Sequence, residues 1–306
     1  MKKVLLASTA LLLTAGFASA QSIELSGSAS AGLKYNSDAD QFDLDDNGVP
    51  DDTITINNEI FMTIAGSGAT DTGLQFGAFL TLDQTGGLDD QEVFVSGVFG
   101  TVTVGGIDPA TDGFGIADVG YDGIGIDDVA EQYKNADAFA DVHYAYSAAG
   151  LTFTATYGWE GVTDDAIAVA VEYESAGFSG GIGYADATTS TVTAQAGYSQ
   201  GPLSINGMYS DWDAGGEGYG IDISYDVAGA TITGVWASAN GVAADPGDGV
   251  GDAYGVGFAV PLGGGLTVAG GIGIIETDFS VTDVDDNVFA GDGSKTVADL
   301  GLTMSF

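Results

Sequence analysis

The stretch SIELSGSASAGLKYN, residues 22–36, splits into two interleaved sets. Ile23, Leu25, Gly27, Ala29, Ala31, Leu33 and Tyr35 share one parity, and Glu24, Ser26, Ser28, Ser30, Gly32, Lys34 and Asn36 the other. Successive side chains of a β-strand point to opposite faces, so a period of two predicts a strand with one apolar and one polar face. The same alternation returns along the chain. Over 53–64, Ile54, Ile56, Ile60, Met62 and Ile64 oppose Thr55, Asn57, Glu59 and Thr63; over 73–83, Leu74, Phe76, Ala78, Leu80 and Leu82 oppose Gln75, Gly77, Thr81 and Asp83. Over 151–160, Leu151, Phe153, Ala155, Tyr157 and Trp159 oppose Thr152, Thr154, Thr156 and Glu160. Helical periodicity is scarce. The pattern predicts 16 strands, near 22–36, 53–65, 72–83, 91–98, 101–106, 139–147, 151–160, 166–174, 178–185, 191–199, 202–210, 218–226, 229–238, 252–260, 265–276 and 294–306.

The connections alternate too. GSGATD (66–71), FG (99–100), SAAG (147–150), SAG (175–177), SQGP (199–202), DVAG (226–229) and PLGGG (261–265) are short. Between them fall longer, acidic segments: 37–52, 83–90, 107–138, 160–166, 211–218, 238–252 and 277–294. An even strand count with short turns at one end and long loops at the other predicts an all-β, antiparallel transmembrane β-barrel. In a soluble sheet the apolar parity would face a core. In a membrane barrel it faces hydrocarbon, and the polar parity lines a wet interior. Tyr144, Tyr146, Tyr157, Trp159, Tyr173, Tyr184, Tyr198, Tyr225, Trp236 and Phe306 fall near strand ends on the apolar parity, where interfacial girdles belong.

The first 20 residues change the picture of the compartment. Lys2 and Lys3 precede an apolar run from Val4 to Leu13 and the small-residue end Ala18-Ser19-Ala20, the pattern of a secretory signal peptide. Residues 21–306 then form the barrel domain. Beyond the leader the chain has no Arg and three lysines, Lys34, Lys134 and Lys295, against 44 acids. Such a charge repels nucleic acid and attracts cations. There is no Cys, so no disulfide can form. A hydrophobic content of 45% argues against disorder despite the charge.

The chain ends in ADLGLTMSF, with Ala298, Leu300, Leu302, Met304 and Phe306 on one parity, and this resembles the final strand of Gram-negative outer-membrane proteins. More specifically, IELSGSASAGLKYN, TDTGLQFGAFLTLD (70–83), EVFVSGVFGTVTVGG (92–106) and KTVADLGLTMSF (295–306) resemble the alphaproteobacterial general diffusion porins of the Rhodobacter type. The resemblance implies a 16-stranded, homotrimeric porin of the Gram-negative outer membrane. It passes small hydrophilic solutes and ions by diffusion, and its third long loop folds into the lumen. That loop is 107–138 here, a length independently expected of a functional connection. Mapped onto it, the constriction acids are Asp108, Asp112, Asp118, Asp122, Asp127, Asp128 and Glu131. The family sets such acids against a basic cluster on the wall, whereas this chain offers only Lys34 and His143 on the inward parity. A pore lined mostly by one sign of charge is expected to prefer cations.

Two other chemistries have a sequence basis. In DLDDNGVPDD, Asp43, Asp45 and Asn47 followed by Gly48 match the first half of a calcium loop, with Asp51 a further oxygen donor. Ile54 stands where an EF-hand needs its bidentate Glu, so the reading is a simpler calcium-binding turn or a solvated acidic loop. A soluble or membrane-attached calcium-dependent β protein, or an adhesin without a pore, is the rival that would use it. No catalytic set appears: His143 is the lone histidine, and paired acids such as Asp127-Asp128 recur in loops all round the chain. No enzymatic activity and no required cofactor are expected. GVGF (255–258) and GGIGI (270–274) lack the setting of a phosphate loop and read as glycines easing strand curvature.

Overall fold

A period-two sequence must find partners for every backbone group along each strand, and the architecture shows where they are. The computed structural model describes residues 22–37, 53–135, 138–159, 165–244, 250–282 and 288–306, and for 277–292 the backbone alone. The strands are β1 (Ser22–Asn36), β2 (Ile54–Ala69), β3 (Gln75–Leu82), β4 (Leu88–Gly97) and β5 (Gly100–Ile107). A long connection holding the short helix α1 (Ile126–Glu131) leads to β6 (Ala140–Ala148), β7 (Leu151–Gly158), β8 (Ala166–Ser175) and β9 (Phe178–Asp186). There follow β10 (Ser190–Gln200), β11 (Leu203–Trp212), β12 (Gly216–Val227), β13 (Ala230–Gly241), β14 (Val250–Gly263), β15 (Leu266–Thr282) and β16 (Val288–Ser305). Each strand pairs antiparallel with its chain neighbours and β1 pairs with β16, closing a barrel of 16 strands. Phe306 and Gly27 exchange backbone hydrogen bonds of 2.8 and 3.0 Å at the junction. Closure leaves no lateral edge, which is the condition for strands to lie in hydrocarbon.

The apolar parity faces outward. Ile23 is 87% exposed and Ile56 82%, and Leu300, Val171, Ile182 and Ile223 on other strands are exposed likewise. The opposite parity carries Thr154, Thr156, Thr193 and Ser210 into the barrel. The greasy rows therefore do not meet across a dry centre. Aromatics form two bands on the outside: Phe178 against Tyr198 near the short-turn end, and Tyr157 against Trp159 and Tyr219 against Trp236 near the other.

Three short turns share one solution. Ala149-Gly150, Ala176-Gly177 and Ala228-Gly229 all have positive φ at both residues, from 51° to 86°, as two-residue type I′ turns demand. Alanine in this region costs about 1–2 kcal/mol, which the fixed register on both flanking strands outweighs.

β2 runs on to Ala69 through most of the turn expected at 66–71, and two further features depart from the sequence reading. The segment 277–294, expected as a loop, is largely an extension of the β15–β16 hairpin, with Phe279 opposite Gly291 and Val281 opposite Phe289. Acidic residues interrupt its alternation and hide the strand signal. Pro261, expected outside the strands, lies in the last turn of β14, where the register shifts between Pro261 and Gly263 and its missing donor is tolerated. The expected signal peptide and the turn with Asp43, Asp45, Asn47 and Asp51 lie outside the described residues.

Candidate pore constriction

The connection from β5 to β6 leaves the wall at a register shift between Val104 and Ile107 and turns into the barrel. Irregular backbone inside a membrane barrel needs partners for its N–H and C=O groups. Side chains of the inner wall supply them in succession. Thr156 Oγ1 accepts from Ala110 N at 3.1 Å, and Gln195 Oε1 from Gly115 N at 3.1 Å. Asn206 Nδ2 donates to the Gly115 carbonyl at 2.6 Å, and Asp222 Oδ2 accepts from Ala117 N at 3.1 Å. At the tip, Asp299 Oδ2 accepts from Tyr121 N and Asp122 N at 2.9 and 3.0 Å, while its Oδ1 accepts from Gly271 N of β15 at 2.8 Å. The loop thus follows the inside of the wall from β7 round to β16.

The loop also has an apolar underside. Ile116, Val119, Ile124, Ile126, Val129 and Tyr133 are buried against Met208, Trp212, Val235, Ile275 and Val297 of the wall. Tyr133 stacks on Trp212 with ring centroids 5.7 Å apart and donates its hydroxyl to the Val242 carbonyl at 2.9 Å. This is the hydrophobic core of the molecule, and it lies between loop and wall. Several glycines beneath it, among them members of GVGF and GGIGI, have a second reason to be glycine besides easing strand curvature. A Cβ on Gly257 would stand 2.8 Å from Val119 Cβ, and one on Gly273 2.8 Å from Ile126 Cδ1. One on Gly301 would meet the Tyr121 ring at 2.6 Å, and one on Gly218 would run into the Ala130 carbonyl. Inward-facing glycines form a track that lets the loop lie close to the strands.

A closed 16-stranded barrel with an inward third loop is an architecture with known relatives. The family model described as Gram-negative porin matches residues 7–296. The chain belongs to the Gram-negative porin family. A porin of Rhodobacter capsulatus is 26% identical over 93% of this chain and the whole of that protein. Among solved structures, a mutant of Rh. blastica porin superposes with a TM-score of 0.70 at 19% identity, covering 93% of this chain and all of that one. Another porin structure gives 0.66 at 21% identity with the same coverage. The protein is accordingly an outer-membrane porin whose lumen is the route for solutes.

Within this porin the loop acids separate into two groups. Asp118 and Asp128 are exposed to the lumen, as is Asp108 at the root of the loop, and Asp112 is partly so. Asp122 and Asp127 are buried, and the Glu131 side chain is only 9% exposed. Asp122 Oδ2 accepts from Lys34 Nζ at 2.8 Å and from Asn57 Nδ2 at 2.6 Å, pinning the tip to β1 and β2. Glu131 accepts from Ile116 N at 2.8 Å and from Lys134 Nζ at 2.7 Å. Lys134 also lies 3.7 Å from Asp112. Burial pushes the Asp127 carboxyl up to about 8, with Asp118, Glu131 and Asp128 adding repulsion in the same direction. Asp108, though reached by solvent, is partly desolvated by the surrounding protein, which together with Asp112 and Asp90 raises its carboxyl against the opposing pull of Lys134. Burial alone would lower Lys134, but Glu131 and Asp112 outweigh it and hold the ammonium above its usual range.

His143 faces the lumen on β6, in register with Thr103 of β5 and Thr156 of β7; contrary to the expectation that Lys34 and His143 alone are basic on the inward parity, Lys295 shares the inner face of β16 with Val297 and Asp299, opposite Ile275 of β15. Asp222 and Asp299, which hold the loop, went unmarked in the sequence reading. Their signal was available: each is an acid in mid-strand on the inward parity, GID and ADL, and an ionisable residue at membrane depth calls for a role. Among the described residues, no three His, Asp or Glu side chains are arranged to hold a metal ion.

Proposed function

We propose that the porin is a cation-preferring diffusion channel whose narrowest passage lies between the loop and the wall formed by β2–β6. The observation that carries this is the pairing of charge inside the barrel. Lys34 is tied to Asp122 and Lys134 to Glu131, which leaves Lys295 as the one other lysine beyond the leader, against exposed loop acids that include Asp108, Asp118 and Asp128. Fixed charge offered to a passing ion is therefore negative, which concentrates cations and excludes anions. The test is the reversal potential of single channels in a planar bilayer under a potassium chloride gradient. A potential of the sign for cation flow is expected, and one indicating anion preference overturns the reading.

The functional unit we propose is the homotrimer, with β2–β5 as the contact between subunits. Tyrosine and tryptophan anchor lipid-facing strands at both interfaces, yet β2–β5 contain neither, as is also true of β15 and β16 on the other side of β1. Their outward faces carry Ile54, Ile56, Ile60, Val93 and Val104 instead. Native mass spectrometry of detergent-extracted protein checks the assembly: a trimer is expected, and a monomer overturns it.

A further inference from the structure

The lumen-facing parity of β2–β4 breaks the polar rule in a regular way. β2 carries Glu59-Ile60-Phe61 and β4 carries Glu92-Val93-Phe94, and in each the Glu and the Phe share the inner face two residues apart. Residues at this spacing lie about 7 Å apart along a strand. Between them on β3, Phe79 is the register partner of Glu92. All three rings are half-buried and outside the apolar cluster under the loop. The Phe94 ring covers Gly77, its partner on β3, and so lies against the wall. The register steps the rings downward from Phe61 to Phe79 to Phe94, over about 20 Å along the strand direction. In both Glu-x-Phe units the carboxylate stands on the long-loop side of its ring.

We propose that this stair of carboxylates and rings binds organic ammonium ions, in particular methylated or aromatic ones, and hands them through the channel. It rests on the reading that the wall of β2–β6 faces the passage. Carboxylates draw a cation inward from the external mouth, and aromatic faces then hold an ammonium group that has shed part of its water. An inorganic cation keeps its hydration shell and gains less from a ring. A neutral sugar gains nothing from the charges. The complementarity of an acidic lumen to a soft cation selects the organic ammonium over both.

Single-channel recording of the trimer in potassium chloride with added benzyltrimethylammonium provides the test. Concentration-dependent block of the potassium current is expected, stronger than with tetramethylammonium or with neutral benzyl alcohol. Replacing the rings by leucine (F61L, F79L and F94L together) keeps their bulk. It is expected to weaken block by about three- to thirtyfold, the range for a cation on an aromatic face, with the reversal potential unchanged. E92Q is expected to weaken block by benzyltrimethylammonium and leave the benzyl alcohol response alone. Equal response to the charged and neutral probes, or block unaffected by the leucine variant, overturns the proposal. Loss of cation preference in the unmodified protein would instead strike the selectivity reading, because block is scored on potassium current whatever the potential.

Discussion

The inner surface of this barrel has two regions that differ in what they touch. From β7 round to β16 the wall is covered by the loop, and beside Gln195, Asn206, Asp222 and Asp299, which hold the loop backbone, its inward residues are mostly glycine, alanine, small hydroxyls and a few apolar side chains. From β2 to β6 the wall faces the passage apart from Asn57, which holds the loop tip, and among its threonines and glycines stand larger inward residues: Phe61, Phe79, Glu92, Phe94 and His143. Both regions alternate in the same way along the strand. What separates them is side-chain volume, because a second layer of polypeptide needs space that water and solutes do not occupy permanently. The covered wall behaves as half of a protein interior, and the bare wall as a solvated surface.

Substitutions that remove polar support from the covered wall are expected to have the largest effects. D299A leaves the N–H groups of Tyr121, Asp122 and Gly271 without their acceptor. Each orphaned buried donor costs about 1–3 kcal/mol. The tip should leave the wall, seen as increased open-channel noise and a lower thermal transition of the folded barrel. G218V adds bulk directly against the Ala130 carbonyl and should cost about 1–3 kcal/mol of loop docking, with a rise in single-channel conductance. If conductance is unchanged, Gly218 does not serve as a seat for the loop.

A smaller effect follows from Asp127. Its carboxyl titrates at about 8 in the docked loop and at 3.8 when released. The protonated form is favoured by docking, so the contribution to stability is complete below the released value and lost as pH rises through about 8. Channel noise should therefore increase across that window, and D127N should flatten the dependence. On the bare wall, T63V removes a 3.0 Å hydroxyl contact with Thr81. It should lower stability by no more than about 1 kcal/mol and leave conductance unaltered, since no loop rests there.

The strand skeleton was legible because alternation, turn chemistry and the order of short and long connections agree. Residues 22–36 and 151–158 needed nothing else. The extension of β15 and β16 was not legible, since acids in 277–294 dilute the apolar parity. The track glycines were visible as residues but not as a seat, because a glycine's sequence says nothing of what fills the space above it. The loop acids can be listed from the sequence, whereas their division into exposed Asp118 and Asp128 and buried Asp122 and Asp127 depends on which face of an irregular segment meets the wall. Phe61 and Phe79 stood in the sequence as exceptions to the polar parity, and the exceptions mark the part of the wall left bare.

The anchors of the loop tip come from strands at opposite ends of the chain. Asp299 lies on β16 and Lys34 on β1, and these two strands meet only where the cylinder shuts. In a half-made cylinder with that seam still open, the binding site for Tyr121 and Asp122 is in two pieces. The tip therefore acts as a clasp: sealing the cylinder creates its socket, and its arrival helps keep the seal.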